Sequence, residues 1–154
     1  MTVVGIISDT HGLLRREAVR RLAGVDAIIH AGDVGDPAIV EELLTLAPVT
    51  AIRGNIDRAA WARAFPEIER VRIAGRTLYV LHDLKTLAID PVSAGVDVVI
   101  SGHSHVPKIE NRGGILMLNP GSAGPRRFKL PITLATLDIA DGQMRAEIHE
   151  LVSG

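Results

Sequence analysis

The chain of 154 residues contains no cysteine. This excludes a disulfide framework and any thiolate metal site. It also fits a reducing compartment, and a cytoplasmic location is expected. Aromatic residues are nearly as scarce, with Trp61, Phe65, Tyr79 and Phe128 completing the set. They are too few for a stacking platform along single-stranded nucleic acid, so the core has to be built from Ala, Val, Ile and Leu. An excess of charge of one sign is missing too. Seventeen Lys and Arg against 18 Asp and Glu leave a formal net charge of −1, which removes the simplest electrostatic case for binding nucleic acid or a membrane surface. No apolar run approaches the ~20 residues that span a bilayer. The opening "MTVVGIISD" is apolar, but it lacks a basic flank and Asp9 interrupts it, so no signal peptide is read there. The length fits a single domain, residues 1–154, able to bury a substantial core.

The first half of the chain alternates strand and helix signals. "TVVGIIS" (2–8), "VDAIIH" (25–30) and "PVTAIR" (48–53) are short, β-branched runs suited to strands buried on both faces. Between the first two, Leu13, Leu14, Ala18, Val19 and Leu22 recur at near-helical spacing, with Gly24 as the stop. Asp36-Pro37 reads as an N-cap followed by proline at the first helical position, ahead of Ile39, Val40, Leu43, Leu44 and Leu46. Short helices are expected at 57–64 and 84–94, and a further buried strand at 96–101. Hairpins are expected around Ala74-Gly75, Gly113-Gly114 and Asp141-Gly142. Two sheets packed face to face, with helices outside, accommodate the pattern.

The strongest polar signals share one position, just beyond the end of an apolar strand. Asp9 and His11 follow the first strand in "SDTHG", Asp33 the second in "HAGDVGD", and Asn55 the third in "IRGNID". His82 closes "TLYVLH", and His103 and His105 follow "VDVVI". In open α/β sheets ligands bind outside the carboxyl ends of strands, so these five segments can serve one crevice. In an extended segment residues i and i+2 project on one side, which pairs Asp9 with His11 and His103 with His105. Four imidazoles, two carboxylates and one amide make seven N/O donors, a set suited to Mn, Fe, Co, Ni or Zn. Seven is too many for one tetrahedral zinc. With one carboxylate shared, they divide into two groups of four. Two metals about 3.5–4 Å apart, bridged by a carboxylate and a hydroxide, are a known device for displacement at phosphorus. Taken singly, D-x-H reads as a turn and N-cap, the Gly-Asp and Gly-Asn pairs as turns, and His82 as a partly buried histidine. Their joint order is far more specific than any one of them.

That ordered set resembles the calcineurin-like metallophosphoesterases, and most closely their small single-domain bacterial and archaeal phosphodiesterase branch. The resemblance runs from Ser8 to Ser122. It implies an α/β fold, a four-layer αββα sandwich of two mixed β-sheets with flanking helices and a dinuclear site at one edge. It assigns Asp9, His11, Asp33 and His105 to one metal and Asp33, Asn55, His82 and His103 to the other, with Asp33 as the bridge and manganese favoured over Ni, Fe, Co or Zn. Asp33, Asn55 and His103 carry the catalytic roles. In "NPGSAGPRR" it places Asn119, Gly121 and Ser122 beside the site. Arg126 or Arg127 lies near the substrate phosphate, though both arginines read equally well as solvated loop charge. The implied reaction is hydrolysis of a small phosphoester, with phosphodiesters favoured over monoesters. A protein-interaction scaffold like the retromer subunit of this fold, or a nuclease using the same site, are the alternatives. No nucleic-acid or membrane partner is expected, and homo-oligomer formation stays open. The sequence departs from the superfamily pattern at two positions. Ile56 stands where a histidine commonly follows the Gly-Asn asparagine, so a protonated leaving group lacks its obvious proton donor. Asp83 follows His82 where the small branch usually has glycine; it reads as a support for a ligand imidazole or as a helix N-cap, and Asp57 offers the same two readings.

Overall fold

A computed structural model of the chain describes residues 1–152. Two five-stranded mixed sheets pack face to face. The first has the order β10-β9-β1-β2-β3, built from β1 (Thr2–Ile7), β2 (Ala27–His30), β3 (Val49–Ala51), β9 (Ile132–Ala140) and β10 (Gln143–Val152). The second has the order β4-β5-β6-β8-β7, from β4 (Ile68–Ile73), β5 (Arg76–Leu81), β6 (Val98–Ile100), β7 (Lys108–Arg112) and β8 (Ile115–Asn119). β1, β2 and β3 run parallel, as do β5, β6 and β8. The carboxyl ends of both parallel sets therefore open toward one edge, where the polar residues were expected to gather.

Alternation along the strands sorts the apolar residues by layer. Val4, Ile6, Ile29, Leu78, Val80, Val98, Ile100, Ala135 and Leu137 fill the space between the sheets. Ile7, Ile28 and Leu134 turn the other way, against α1 (Arg16–Leu22) and α2 (Pro37–Leu44). The outer face of the second sheet, with Tyr79, Val99 and Met117, is covered by Leu84, Leu87, Ile89 and Ala94. Burial of these wholly apolar layers supplies the main driving force for folding.

Asp36 caps α2 as expected, its carboxylate accepting from the Ala38 N–H at 2.9 Å. The three hairpins turn where expected, each with both central residues at positive φ: Ala74 and Gly75, Gly113 and Gly114, Asp141 and Gly142. That is the type I′ geometry, whose twist matches the flanking strands.

Three local expectations are corrected. The first helix begins at Arg16, not at Leu13, because residues 9–12 are bent into a loop with Asp9, His11 and Gly12 at positive φ. Residues 57–64 give only a 3-10 helix at Ala60–Ala64. The expected helix at 84–94 is a single 3-10 turn, Leu84–Thr86, with Asp83 as its cap. Pro91 has no N–H to extend it, and Asp90 starts a separate turn by accepting from Val92. No described helix is long and apolar enough to cross a membrane.

Candidate metal centre

Three of the five candidate ligand loops leave their strands through left-handed backbone. Asp9, His11, Asp33, His103 and His105 all have φ between 47° and 69°. L-residues rarely adopt that conformation, and in folded proteins it gathers at functional sites. It also corrects the expectation of extended i, i+2 pairs. The loop turns between His103 and His105, so their rings diverge: His103 stacks edge-on to His82 with centroids 5.2 Å apart, while His105 lies 5.4 Å from His11.

At the centre is the Asp9 carboxylate, wholly buried. Its Oδ2 accepts from Ser8 Oγ at 2.7 Å and from the His103 N–H at 3.1 Å. Its Oδ1 has no hydrogen-bond partner. It faces Nε2 of His105, His11 and His82 at 3.4, 3.8 and 3.8 Å. Asp33 uses Oδ1 to accept from the Ile56 N–H at 3.1 Å. Its Oδ2 lies 3.2 Å from His82 Nε2 and 3.5 Å from His11 Nε2. Asp9, His11 and His105 present donor atoms within 4.8 Å of one another, and so do Asp9, Asp33 and His82. The two groups overlap at Asp9, while Asp33 Oδ2 touches one histidine from each.

His82 shows what this arrangement requires. Its Nδ1 donates to the Ala31 carbonyl at 2.7 Å, so in the neutral ring Nε2 carries a lone pair aimed at two carboxylates. Four buried atoms here lack a hydrogen-bond partner: Asp9 Oδ1, His11 Nε2, His82 Nε2 and His105 Nδ1. Buried polar atoms are nearly always satisfied, and an ion is a standard reason for an exception. Burial raises the Asp9 carboxyl, but His105, His11, Ser8 and the charge of His82 overcome this and hold it far below the usual range. Burial likewise raises Asp33, and His82 and the Ile56 N–H outweigh it. Burial lowers the His82 imidazole, and Asp33 with the Ala31 carbonyl draws it up instead. The shifts keep both carboxylates ionised and draw positive charge toward them, and an all-nitrogen-and-oxygen donor set of this kind suits a divalent cation in that role.

Asn55 and His103 stand at the rim. With His82, Asp83 and Arg53 they line a cleft of about 550 Å³ leading to the cluster. The His103 side chain is 44 % exposed, with Nε2 3.9 Å from Asp83 Oδ2. Asn119 and Ser122 lie beside the cluster with their polar atoms turned inward. Asn119 Nδ2 donates to the Gly102 carbonyl and to Ser104 Oγ, and its Oδ1 accepts from Gly121. Ser122 Oγ donates to the Asp9 carbonyl at 3.0 Å. Both therefore order ligand loops. Arg126 bonds the Leu130 carbonyl of its own loop, and Arg127 lines a neighbouring groove.

Asp57 does not cap the following 3-10 helix, whose N-cap is Ala59. Its buried carboxylate accepts from Val34, Gly35 and Gly54 at 3.0, 2.9 and 2.8 Å. It thus ties the loop bearing Asp33 to the loop bearing Asn55. The contact is close: a Cβ on Gly54 would strike the Asp33 side chain, and one on Gly102 would strike Ser8 Oγ. His30 went unremarked in the sequence, although it closes β2 as His82 follows β5. Its Nδ1 accepts from the Gly32 N–H at 3.1 Å, and its Nε2 lies 3.0 Å from Thr10 Oγ1. The Thr10 hydroxyl already donates to the Val34 carbonyl, so His30 Nε2 carries the proton. The ring joins the Asp9 loop to the Asp33 loop.

Buried carboxylates and imidazoles, converging from the ends of parallel strands in two packed sheets, define a protein of the α/β-sandwich class with a candidate metal centre. Comparison with known proteins carries this further. Residues 1–142 match the calcineurin-like phosphoesterase superfamily domain, and the chain belongs to that superfamily. It is 40 % identical over 129 residues to a probable metallophosphoesterase of Methanocaldococcus jannaschii, covering 78 % of this chain and 67 % of that one. An archaeal phosphodiesterase of known structure superposes with a TM-score of 0.80 at 26 % identity, covering 96 % of this chain and all (100 %) of that one. The zinc complex of wild-type Vps29 from Entamoeba histolytica shares the fold, with a TM-score of 0.74 at 23 % identity over 98 % of this chain and 100 % of that one.

Proposed function

We propose that this protein is a dinuclear-metal phosphodiesterase. The observation that carries the reading is the set of three unpartnered buried atoms, Asp9 Oδ1, His11 Nε2 and His82 Nε2, within two overlapping donor groups, below a cleft edged by Asn55 and His103. Asp9, His11, Asp33 and His105 would hold one ion, and Asp33, Asn55, His82 and His103 the other, with manganese the favoured metal. When bound, the ions supply Lewis acidity at phosphorus-bound oxygen and lower the pKa of coordinated water. The chain does the positioning. Asp33 joins the two halves, Asn55 and His103 orient the phosphoryl oxygens entering the cleft, and the wholly buried Asp9 anchors the donor set from beneath.

The residue beside Asn55 sets the preference among esters. Ile56 is 44 % exposed and offers only its N–H, which is already bonded to Asp33. No proton donor stands there for a strongly basic leaving group, so esters of acidic alcohols and phenols react best. A diester also brings one charge fewer than a monoester to a site that already holds two carboxylates. The phosphodiesterase among its structural relatives supports the same choice.

The test is hydrolysis of bis-p-nitrophenyl phosphate by chelator-stripped protein refilled with Mn, Ni, Co, Zn or Mg. Turnover with at least one ion is expected; bound metal without turnover in every case would end the enzyme reading. Asp33→Ala should lose both ions, whereas Ser104→Ala should keep them, as elemental analysis would show. Two metals per chain retained in Asp33→Ala would refute the assignment of the bridge.

A further inference from the structure

A second and larger hollow opens beside the cluster. It has a volume of about 780 Å³ and lies on the outer face of the second sheet, between the 84–86 turn and the 127–130 loop. This is the size range of small-molecule sites. Its floor is apolar, formed by Val99 and Met117, with Val106, Phe128 and Leu130 along one wall. It reaches the metal-site cleft through His103 and Asp83, which line both. A ligand whose phosphoryl group sits in the cleft therefore has one apolar direction in which to extend.

Phe128 marks the groove as a binding surface. The residue is 88 % exposed and its backbone is held at φ 54°. A bulky residue in left-handed backbone is strained, and nothing in the fold covers the ring in return. The chain has only four aromatics, and this one stands in water at the mouth of the groove. The cations on the rim are consistent with this use. Lys108 is taken up by Glu110 at 3.2 Å, whereas Lys85 and Arg127 line the groove with no carboxylate in ion-pair range among the described residues. An anionic ligand with an apolar, planar end matches both features.

We infer that this groove is the subsite for the organic group of the phosphoester, and that it selects aryl or nucleobase esters, which stack on Phe128, over small alkyl esters. The inference rests on the phosphoesterase reading only for the seat of the phosphoryl end. Phenylphosphonate and methylphosphonate, neither of which has an ester bond to break, test it by calorimetry on the metal-filled chain. The phenyl compound should bind about tenfold more tightly, the effect of burying one ring. Phe128→Ala should cut that preference at least about threefold, as loss of an aromatic pair does, while leaving methylphosphonate binding unchanged. The ring is exposed, so the variant keeps its fold. Equal binding of the two phosphonates, no binding of either, or an unaltered preference in Phe128→Ala would overturn the inference. So would a wild-type dimer that Phe128→Ala converts to monomer, since the groove would then belong to a second copy. Hydrolysis of bis-p-nitrophenyl phosphate without phenyl preference removes the groove and keeps the enzyme. Phenyl preference without hydrolysis by any metal form does the reverse.

Discussion

Asp57→Asn changes one atom and is expected to loosen two ligand loops together. The wild-type carboxylate is 4 % exposed and satisfies three backbone donors: Oδ2 takes Val34 and Gly54, and Oδ1 takes Gly35. An amide keeps one accepting oxygen, so it can hold the first two donors and must turn its NH2 toward the third. That N–H is then stranded, at roughly 1–3 kcal/mol for an unsatisfied buried donor. The remaining two bonds lose their charge assistance, which about doubles the strength of such contacts, for about 1 kcal/mol more. The metal-free protein should therefore lose about 2–4 kcal/mol. With a urea slope of about 2 kcal/mol/M, the unfolding midpoint falls by about 1–2 M. Stripping the metal first separates this effect from ligand binding, and an unchanged slope would show that the unfolded state is not the cause. Metal affinity should fall as well, because the Asp33 and Asn55 loops lose their common tie. A variant within about 0.5 kcal/mol of wild type, the ordinary range for surface changes, would refute the clamp.

Further outcomes follow from the same geometry. Complete burial holds the His30 imidazole down at about 4, against the pull of Asp9 and Asp57. The unfolded chain takes up that proton first, so the contribution is present above pH ~6.5 and is lost as pH falls toward 4; it is on the order of 3 kcal/mol. His30→Gln should flatten this limb of the stability curve, and an acid limb identical to wild type would contradict it. Chelation should lower the melting temperature. Refilling at about 1,000 times Kd should restore about 4 kcal/mol per site, while no shift with any divalent ion would argue against a metal centre. Gly102→Ala forces a methyl group into Ser8 and Asp9, so elemental analysis should find less than the wild-type metal content. Full retention would mean that the loop relaxes freely.

The fold and the candidate ligand set were legible to different depths. Runs such as "TVVGII" and "VDVVI" announce strands because β-branched side chains suit a sheet buried on both faces. Asp36-Pro37 announced a helix start, and Ala74-Gly75, Gly113-Gly114 and Asp141-Gly142 announced hairpins, because these are local backbone preferences. The polar residues beyond each strand could be named for a simple reason. Parallel strands deliver their carboxyl ends to one edge, and the order of residue types along the chain is itself specific. Helix lengths at 57–64 and 84–94 were less legible, because periodicity does not register how Pro91 and the ligand loops divert the backbone.

The amino-acid order alone determined the α/β class, the absence of thiolate chemistry, and which nitrogen and oxygen donors were available. Only the tertiary structure decided where those donors point. The left-handed backbone at Asp9, His11, Asp33, His103 and His105 parts the neighbouring histidines, which the D-x-H and H-x-H spacings do not disclose. Likewise, Asp57 and His30 gain their roles from a backbone N–H and a hydroxyl 20 or more positions away, Val34 for the one and Thr10 for the other. Side-chain chemistry is written residue by residue, whereas the direction of a lone pair depends on loops that meet only after two sheets have packed.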